Sequence, residues 1–312
     1  MDNNVAVRTI VPILFLIGLG FLSRKIGVLK SGDERILNAY VYYFSLPALF
    51  FIDMAEMNFT TENLRFAFVS IAPIFIILGI YTLFYLALRF PREKFYLITL
   101  ITVFGSLAFF GIPFLMFAFP TKQGEQLATL SAAAISLIAV PISITVLELY
   151  QMEKTSICKG LKCVAKRLAK NPLILSIFMG ILLSISGLEV PLPFATSLHM
   201  LGSTTSTVAI FMLGVFLYGR RYENLAEAFG LSLLRIILLP MVAFFTTLVF
   251  GLQTMETTTI VLMHGMPVAI SVIVLSERYN FYKETIASTI LISSLSAGLY
   301  LNLWLLLLGY GL

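Results

Sequence analysis

Apolar runs about as long as a bilayer is thick, separated by short polar breaks, dominate the chain: 5–22, 36–52, 66–88, 97–119, 127–147, 172–188, 198–218, 225–250, 257–275 and 285–310. A helix rises about 1.5 Å per residue, so roughly 20 residues cross a hydrocarbon core about 30 Å thick. The runs do not alternate with period two and are roughly twice as long as a barrel strand. The pattern therefore predicts an all-α membrane protein of ten transmembrane helices, here called segments 1 to 10.

Composition narrows the class. Hydrophobic residues make up 59% of the 312 and charged residues 12%, with a mean hydropathy of +0.97. Globular chains carry about 25% charged residues, so there is too little polar surface here to cover a water-exposed globule. A cytosolic enzyme, a nucleic-acid binder and a secreted module are excluded, and the lipid bilayer becomes the surrounding phase. The net charge of +5 does not imply nucleic acid, because 17 of the 21 Lys and Arg fall in the odd-numbered loops. These include Arg24, Lys25, Lys30 and Arg35, and the run from Lys154 to Lys170. By the positive-inside rule those loops are cytoplasmic and both termini face outward. Cys158 and Cys163 lie in the most basic loop and are read as free thiols in a reducing compartment. The start, MDNNVAVRTIVPILFL, has no basic leader and no small-residue cleavage site, so segment 1 is expected to be retained.

The halves echo one another. Pro12, Gly20 and Gly27 recur as Pro172, Gly180 and Gly187 at one fixed offset. Pro73 in segment 3 has a counterpart in Pro240 of segment 8, and Gly111-Ile112-Pro113 matches Gly265-Met266-Pro267. The chain is expected to be two five-helix repeats, 1–147 and 172–312, joined by a basic linker, 148–171. Because five is odd, the second repeat enters the membrane inverted, as in many secondary transporters.

Segments 4 and 9 hold the most informative interruption. Proline removes an amide donor and displaces the carbonyl four residues earlier, here Phe109 and Met263, while the nearby glycine lets the backbone unwind. Such backbone is tolerated at membrane depth only where it lines a cavity or is buried in protein. Two broken helices crossing there would aim free amides and positive dipole ends at one point, which suits a carboxylate. Simple proline kinks are the plain alternative.

These residues resemble the auxin efflux carrier family, bacterial permeases and plant auxin exporters. The likeness spans nearly the whole chain: VPILFLIGLGFLSRKIGVL, LNAYVYYFSLPALFF, FGSLAFFGIPFL, NPLILSIFMGILLSISG, LRIILLP and MPVAISVIVLSERY follow in order. The resemblance implies a scaffold domain of segments 1, 2, 6 and 7 and a mobile transport domain of segments 3–5 and 8–10. It also implies an elevator-like motion, a homodimer through the scaffold and organic anions as substrates. Family members commonly place an asparagine near each crossover proline; the equivalents here are Ser106 and Ser271, shorter donors and acceptors than an amide. The resemblance therefore does not carry an auxin-like or dicarboxylate specificity over to this chain. The candidate substrate-binding residues are Ser106, Gly111, Pro113, His264, Gly265, Pro267 and Ser271.

Other polar residues are weighed singly. His264 near the centre of segment 9 is an intramembrane ionisable group and a candidate for proton coupling, against a neutral histidine bonded in the core. Arg235 in segment 8 is read as a snorkelling or structurally paired cation rather than a substrate contact. The run Ser203–Thr207 is read as helix packing, and Asn38, Asp53, Glu56 and Glu148 as interfacial groups. No HExxH, Walker or GxSxG pattern occurs, and two histidines give a metal centre little to draw on, so neither an enzyme, a cofactor nor a metal is expected. Asn58-Phe59-Thr60 formally matches a glycosylation acceptor, but the chain lacks the long cytoplasmic loop of plant relatives, which favours a prokaryotic inner membrane. Two further readings compete with an anion carrier. A sodium-coupled symporter of the bile acid type would want side-chain carboxylate or amide oxygens at the breaks, yet 104–115 and 262–273 contain no Asp, Glu, Asn or Gln. Proton coupling or uniport is favoured instead. A sensor using the same fold would be expected to carry a soluble domain.

Overall fold

The computed structural model describes residues 5–151, 169–219 and 222–310, so Cys158, Cys163, most of the basic linker and Leu312 lie outside the described residues. The regular elements among them are helices, and their β pairing is a single isolated antiparallel bridge between Gly105 and Val268. The first half contains α1 (Val5–Lys25), α2 (Asp33–Tyr40), α3 (Leu46–Ala55), α4 (Thr61–Leu88), α5 (Arg92–Val103), α6 (Ile112–Ala118) and α7 (Lys122–Gln151). The second contains α8 (Pro172–Ile185), α9 (Leu192–Leu217), α10 (Leu225–Leu233), α11 (Leu239–Phe250), α12 (Thr254–Gly265), α13 (Ser271–Tyr279), α14 (Lys283–Leu295) and α15 (Ala297–Leu307).

Among the described residues, five continuous stretches are long and apolar enough to cross a membrane: Asp33–Ala55, Thr61–Leu88, Lys122–Tyr150, Leu192–Leu217 and Leu225–Phe250. The pair α14 and α15, bent by 54°, makes a sixth if counted as one span. Pro172–Ile185 and Leu107–Ala118 are shorter apolar helices. The run expected over 225–250 thus appears with those bounds, whereas the run over 285–310 is bent near Ser296.

Local chemistry sets many of the ends. Asn171 caps α8, its Oδ1 accepting from the amides of Leu173 (3.0 Å) and Ile174 (3.4 Å), while Pro172 fills a first-turn position that needs no donor. Thr60 caps α4 by accepting from Asn63, and Gln253 and Glu256 form a capping box on α12. Gly251 closes α11 in the left-handed conformation that glycine adopts without strain.

Three π turns, Val41–Ser45, Leu107–Gly111 and Leu234–Leu238, each end two residues before a proline: Pro47, Pro113 and Pro240. Proline lacks an N–H and its ring pushes against the carbonyl four residues back, so the ladder slips to the wider i to i+5 spacing for one turn instead of breaking. At the third turn the carbonyl freed four residues before Pro240, that of Ile236, accepts the indole N–H of Trp304 at 3.0 Å.

Glycines set the closest helix approaches. A Cβ on Gly20 of α1 would overlap the Phe211 carbonyl of α9, and one on Gly214 would overlap the Ile17 carbonyl of α1. On the other side a Cβ on Gly180 of α8 would stand 2.6 Å from the Phe51 carbonyl of α3. Only glycine permits such backbone contact. Gly20 and Gly180, matched by the sequence offset, therefore do the same work in segments 1 and 6, packing them against segments 7 and 2. Ser45 of segment 2 bonds to Thr204 (3.0 Å) and Thr205 of α9, which makes that part of the Ser/Thr run a packing surface.

Candidate functional site

Segments 4 and 9 are both interrupted, and their unwound stretches pair with each other. The amide of Ser106 donates to the Pro267 carbonyl at 2.7 Å and the amide of Ala269 donates to the Phe104 carbonyl at 3.1 Å, framing the Gly105–Val268 bridge. The amide of Val268 donates to Ser293 Oγ of α14 at 3.2 Å. Backbone groups that a continuous helix would have satisfied internally are thus paired across the crossing.

The two breaks differ. Pro267 lies inside the unwound stretch between α12 and α13, but Pro113 lies in the first turn of α6, after the π turn, and the break in segment 4 is earlier, at Phe104–Ser106. Gly111 is helical rather than unwound, with φ −67° and ψ −52°. Its smallness serves approach instead: a Cβ there would lie 2.7 Å from the Met263 sulfur of α12. Gly265 ends α12 with ordinary contact distances around it.

The break in segment 4 is held by a residue from segment 8. Arg235, in the third π turn, is fully buried. Its Nε donates to the Met266 carbonyl (2.8 Å), its Nη1 to the carbonyls of Thr102 (2.5 Å) and Val103 (3.5 Å), and its Nη2 to that of Met263 (3.3 Å). These carbonyls close α5 and α12, where unpaired oxygens carry the negative end of the helix dipole. The cation does not snorkel and meets no carboxylate among the described residues; it caps two helices at once. A Cβ on Gly105 would overlap the guanidinium, so the extended stretch runs across it only because that residue is glycine.

On the opposite side of the unwound stretches lies a cavity of about 340 Å³. Phe104 to Phe109, Ala269 and Ser271 form one wall, with Ser136, Val140 and Ile144 of α7 beside them, and Asn38, Tyr42, Leu46, Asn171 and Leu173 facing them. Ser106 and Ser271, expected at the site, are brought together here, and neither hydroxyl is bonded to another described residue. Pro267 contributes its carbonyl to the crossing behind. Gly111, Pro113 and Gly265 stand outside the lining. So does His264, whose buried ring points to α4, with Nε2 2.9 Å from the Ser70 carbonyl. Asn38, expected at the interface, joins the lining, as do Asn171, Ser136 and Tyr42. Asn171 has a local signal in its position before Pro172, since a capping amide oxygen leaves the Nδ2 donors for another partner.

A larger cavity of about 460 Å³ lies elsewhere, lined by Asp53, Glu56, Lys122, Glu125 and His199 among others. Glu56 is 2.8 Å from His199 and 3.8 Å from Lys122, and Asp53 accepts from Thr129 at 2.7 Å. Three carboxylates against one lysine and one histidine give that lining an acidic excess. Among the described residues, the lining of the crossover cavity has no ionised side chain and several N–H and O–H donors.

The sequence pattern of the family described as "Membrane transport protein" matches residues 5–305. Over 311 residues the chain is 24% identical to the "Uncharacterized transporter YfdV" of Escherichia coli (strain K12), covering 96% of each. It is 24% identical over 314 residues to the "Uncharacterized transporter MJ1031" of Methanocaldococcus jannaschii, covering 96% of this chain and 98% of that one. It is 23% identical over 298 residues to a Rhizobium meliloti protein named "Putative malonate transporter", covering 92% and 90%.

Proposed function

Because the chain belongs to the auxin efflux carrier family of membrane transport proteins, we propose that it carries a small organic anion, a carboxylate of about malonate's size, through the crossover cavity. The observation that carries this reading is the cavity itself. Two unwound stretches meet there, the helices that restart after them at Leu107 and Ser271 turn their N-terminal ends to its wall, and serine and amide donors surround a space that no carboxylate among the described residues lines. The positive end of a helix dipole attracts negative charge. The malonate in the Rhizobium relative's name fits the same chemistry.

The architecture in this reading is two inverted five-helix repeats. The matching roles of Gly20 and Gly180 support it. Helices α1–α3, α8 and α9 form the scaffold and the homodimer face, and α4–α7 with α10–α15 form a transport domain that slides past them. The cavity is lined by Asn38 and Ala39 near the end of α2 and by Asn171 and Leu173 at the start of α8, and the distribution of Lys and Arg assigns the loops that precede these two helices to the cytoplasm. At the far end Arg8 donates from α1 to the Phe117 (2.8 Å) and Ala118 (2.7 Å) carbonyls of α6. The conformation is thus read as inward-facing, in a prokaryotic inner membrane with both termini outside. Ser106, Ser271, Asn38 and Asn171 are the substrate contacts in this reading. The cycle is uniport or proton-coupled, and any coupling proton is carried by a group other than His264.

The test is binding followed by flux. Malonate should raise the melting temperature of the purified protein while uncharged malonamide does not, and proteoliposomes should take up labelled malonate. If no mono- or dicarboxylate in a screen stabilises the protein or is taken up, the reading fails.

A further inference from the structure

Carbonyls that close half-helices are, in many carriers with broken helices, the ligands of a coupling cation. Here four such carbonyls, those of Thr102, Val103, Met263 and Met266, converge on one point, and the guanidinium of Arg235 fills it. Arginine keeps its charge in proteins, offers five donors and accepts none. Its three nitrogens are each engaged by a helix-closing carbonyl. An inorganic cation needs oxygen ligands free to turn to it, and those oxygens are already committed to N–H donors. The glycine at 105 leaves just enough room for the planar group behind the cavity wall.

We propose that Arg235 is the resident cation of the crossover: it occupies the position of a coupling ion permanently, so the chain binds its anion without sodium, and it supplies the positive charge behind the Phe104–Ser106 wall. The first half stands on the hydrogen bonds alone; the second rests on the cavity being the substrate site. Negative ends of α5 and α12 are neutralised at the back, leaving the positive ends that follow the breaks to act on the cavity. The charge lies one backbone stretch from the cavity, where little water screens it. Arg235 is in this sense a positioning and charge-setting residue, not a substrate contact.

The experiment uses the full chain in nanodiscs, with Arg235→Gln, Arg235→Lys and Arg235→Ala. Wild-type melting temperature and malonate affinity should not change when sodium is replaced by choline. Arg235→Ala should melt lower, and millimolar guanidinium, sodium or potassium should raise its melting point with the logarithm of concentration while choline does not, because the emptied carbonyl cluster now binds a small cation. Arg235→Gln keeps donors but no charge and should lose at least about tenfold in malonate affinity, whereas Arg235→Lys keeps charge and should lose less. Should Arg235→Ala fail to fold, the Gln and Lys pair still decides the role of the charge. Equal malonate binding by wild type and Arg235→Gln would overturn that role, and a sodium requirement in the wild type, or an Arg235→Ala protein indifferent to every cation, would overturn the resident-cation assignment. If wild type binds no carboxylate at all, the proposed function fails, while the cation dependence of the Arg235→Ala melting point still tests the first half.

Discussion

The guanidinium of Arg235 occupies the space that a side chain on Gly105 would need, so each of these two residues presupposes the other. Gly105→Ala should therefore displace a buried cation from its carbonyl partners. Breaking up a buried charge's partners costs about 3–5 kcal/mol, and the melting temperature of Gly105→Ala should fall accordingly. Gly79, mid-helix in α4 with nothing within 4 Å of a built Cβ, is the control. Gly79→Ala should be neutral or stabilising by up to about 1 kcal/mol. Equal melting temperatures for the two variants would remove the argument.

Ser106 and Ser271 offer free hydroxyls to the cavity. A hydrogen bond to a charged ligand is worth about 1.5–3 kcal/mol, so Ser106→Ala and Ser271→Ala should each weaken malonate binding by roughly ten- to a hundredfold. Isothermal titration checks this, and melting temperatures of the unliganded variants should stay near wild type because no described residue loses a partner.

His264 is expected to matter for stability and not for pH. Its Nε2 is bonded to a backbone oxygen of α4 and its Nδ1 has no described partner, so the ring serves the interior rather than the cavity. His264→Ala should cost about 1–3 kcal/mol of stability, while the pH profile of malonate binding between about pH 6 and 8 keeps its shape. A flattened profile would return the histidine to the transport path.

Orientation can be read with a thiol reagent that does not cross membranes. Cys158 and Cys163, in the most basic loop, should react from the cytoplasmic face of sealed vesicles and resist the reagent from the other side. Labelling from the external side would reverse the topology.

Much of this was legible in the sequence, and the exceptions have a common cause. Segment 8 was bounded by its own apolar run, and the start of α8 by Asn171-Pro172, because both signals are local. The crossing of segments 4 and 9 was also foreseen, from paired Gly-x-Pro elements. Its position in segment 4 was not: Pro113 is absorbed by a π turn, and the break falls at Phe104–Ser106, where no proline stands. The carbonyls that end the helix there are held by a cation from a distant segment, and nothing next to Gly105 announces it. For Arg235 the sequence suggests snorkelling or a structural pair, because a sequence shows charges but not which carbonyls will converge on them. The asymmetry of the two breaks is likewise a tertiary effect laid over a repeated pattern.

The Gly105–Val268 bridge has a consequence for how the protein is made. Its two sides belong to opposite halves of the chain, so when the first half has left the ribosome the Phe104–Ser106 backbone has none of its later partners. Peptide groups left in that condition among lipid tails cost several kcal/mol each, and only translation of α10 to α13 relieves them. The first half, synthesised alone, should then be a poor membrane resident, held by insertion machinery or degraded. Co-expressing residues 1–147 and 172–312 as separate chains should rescue both, since each carries the groups the other lacks.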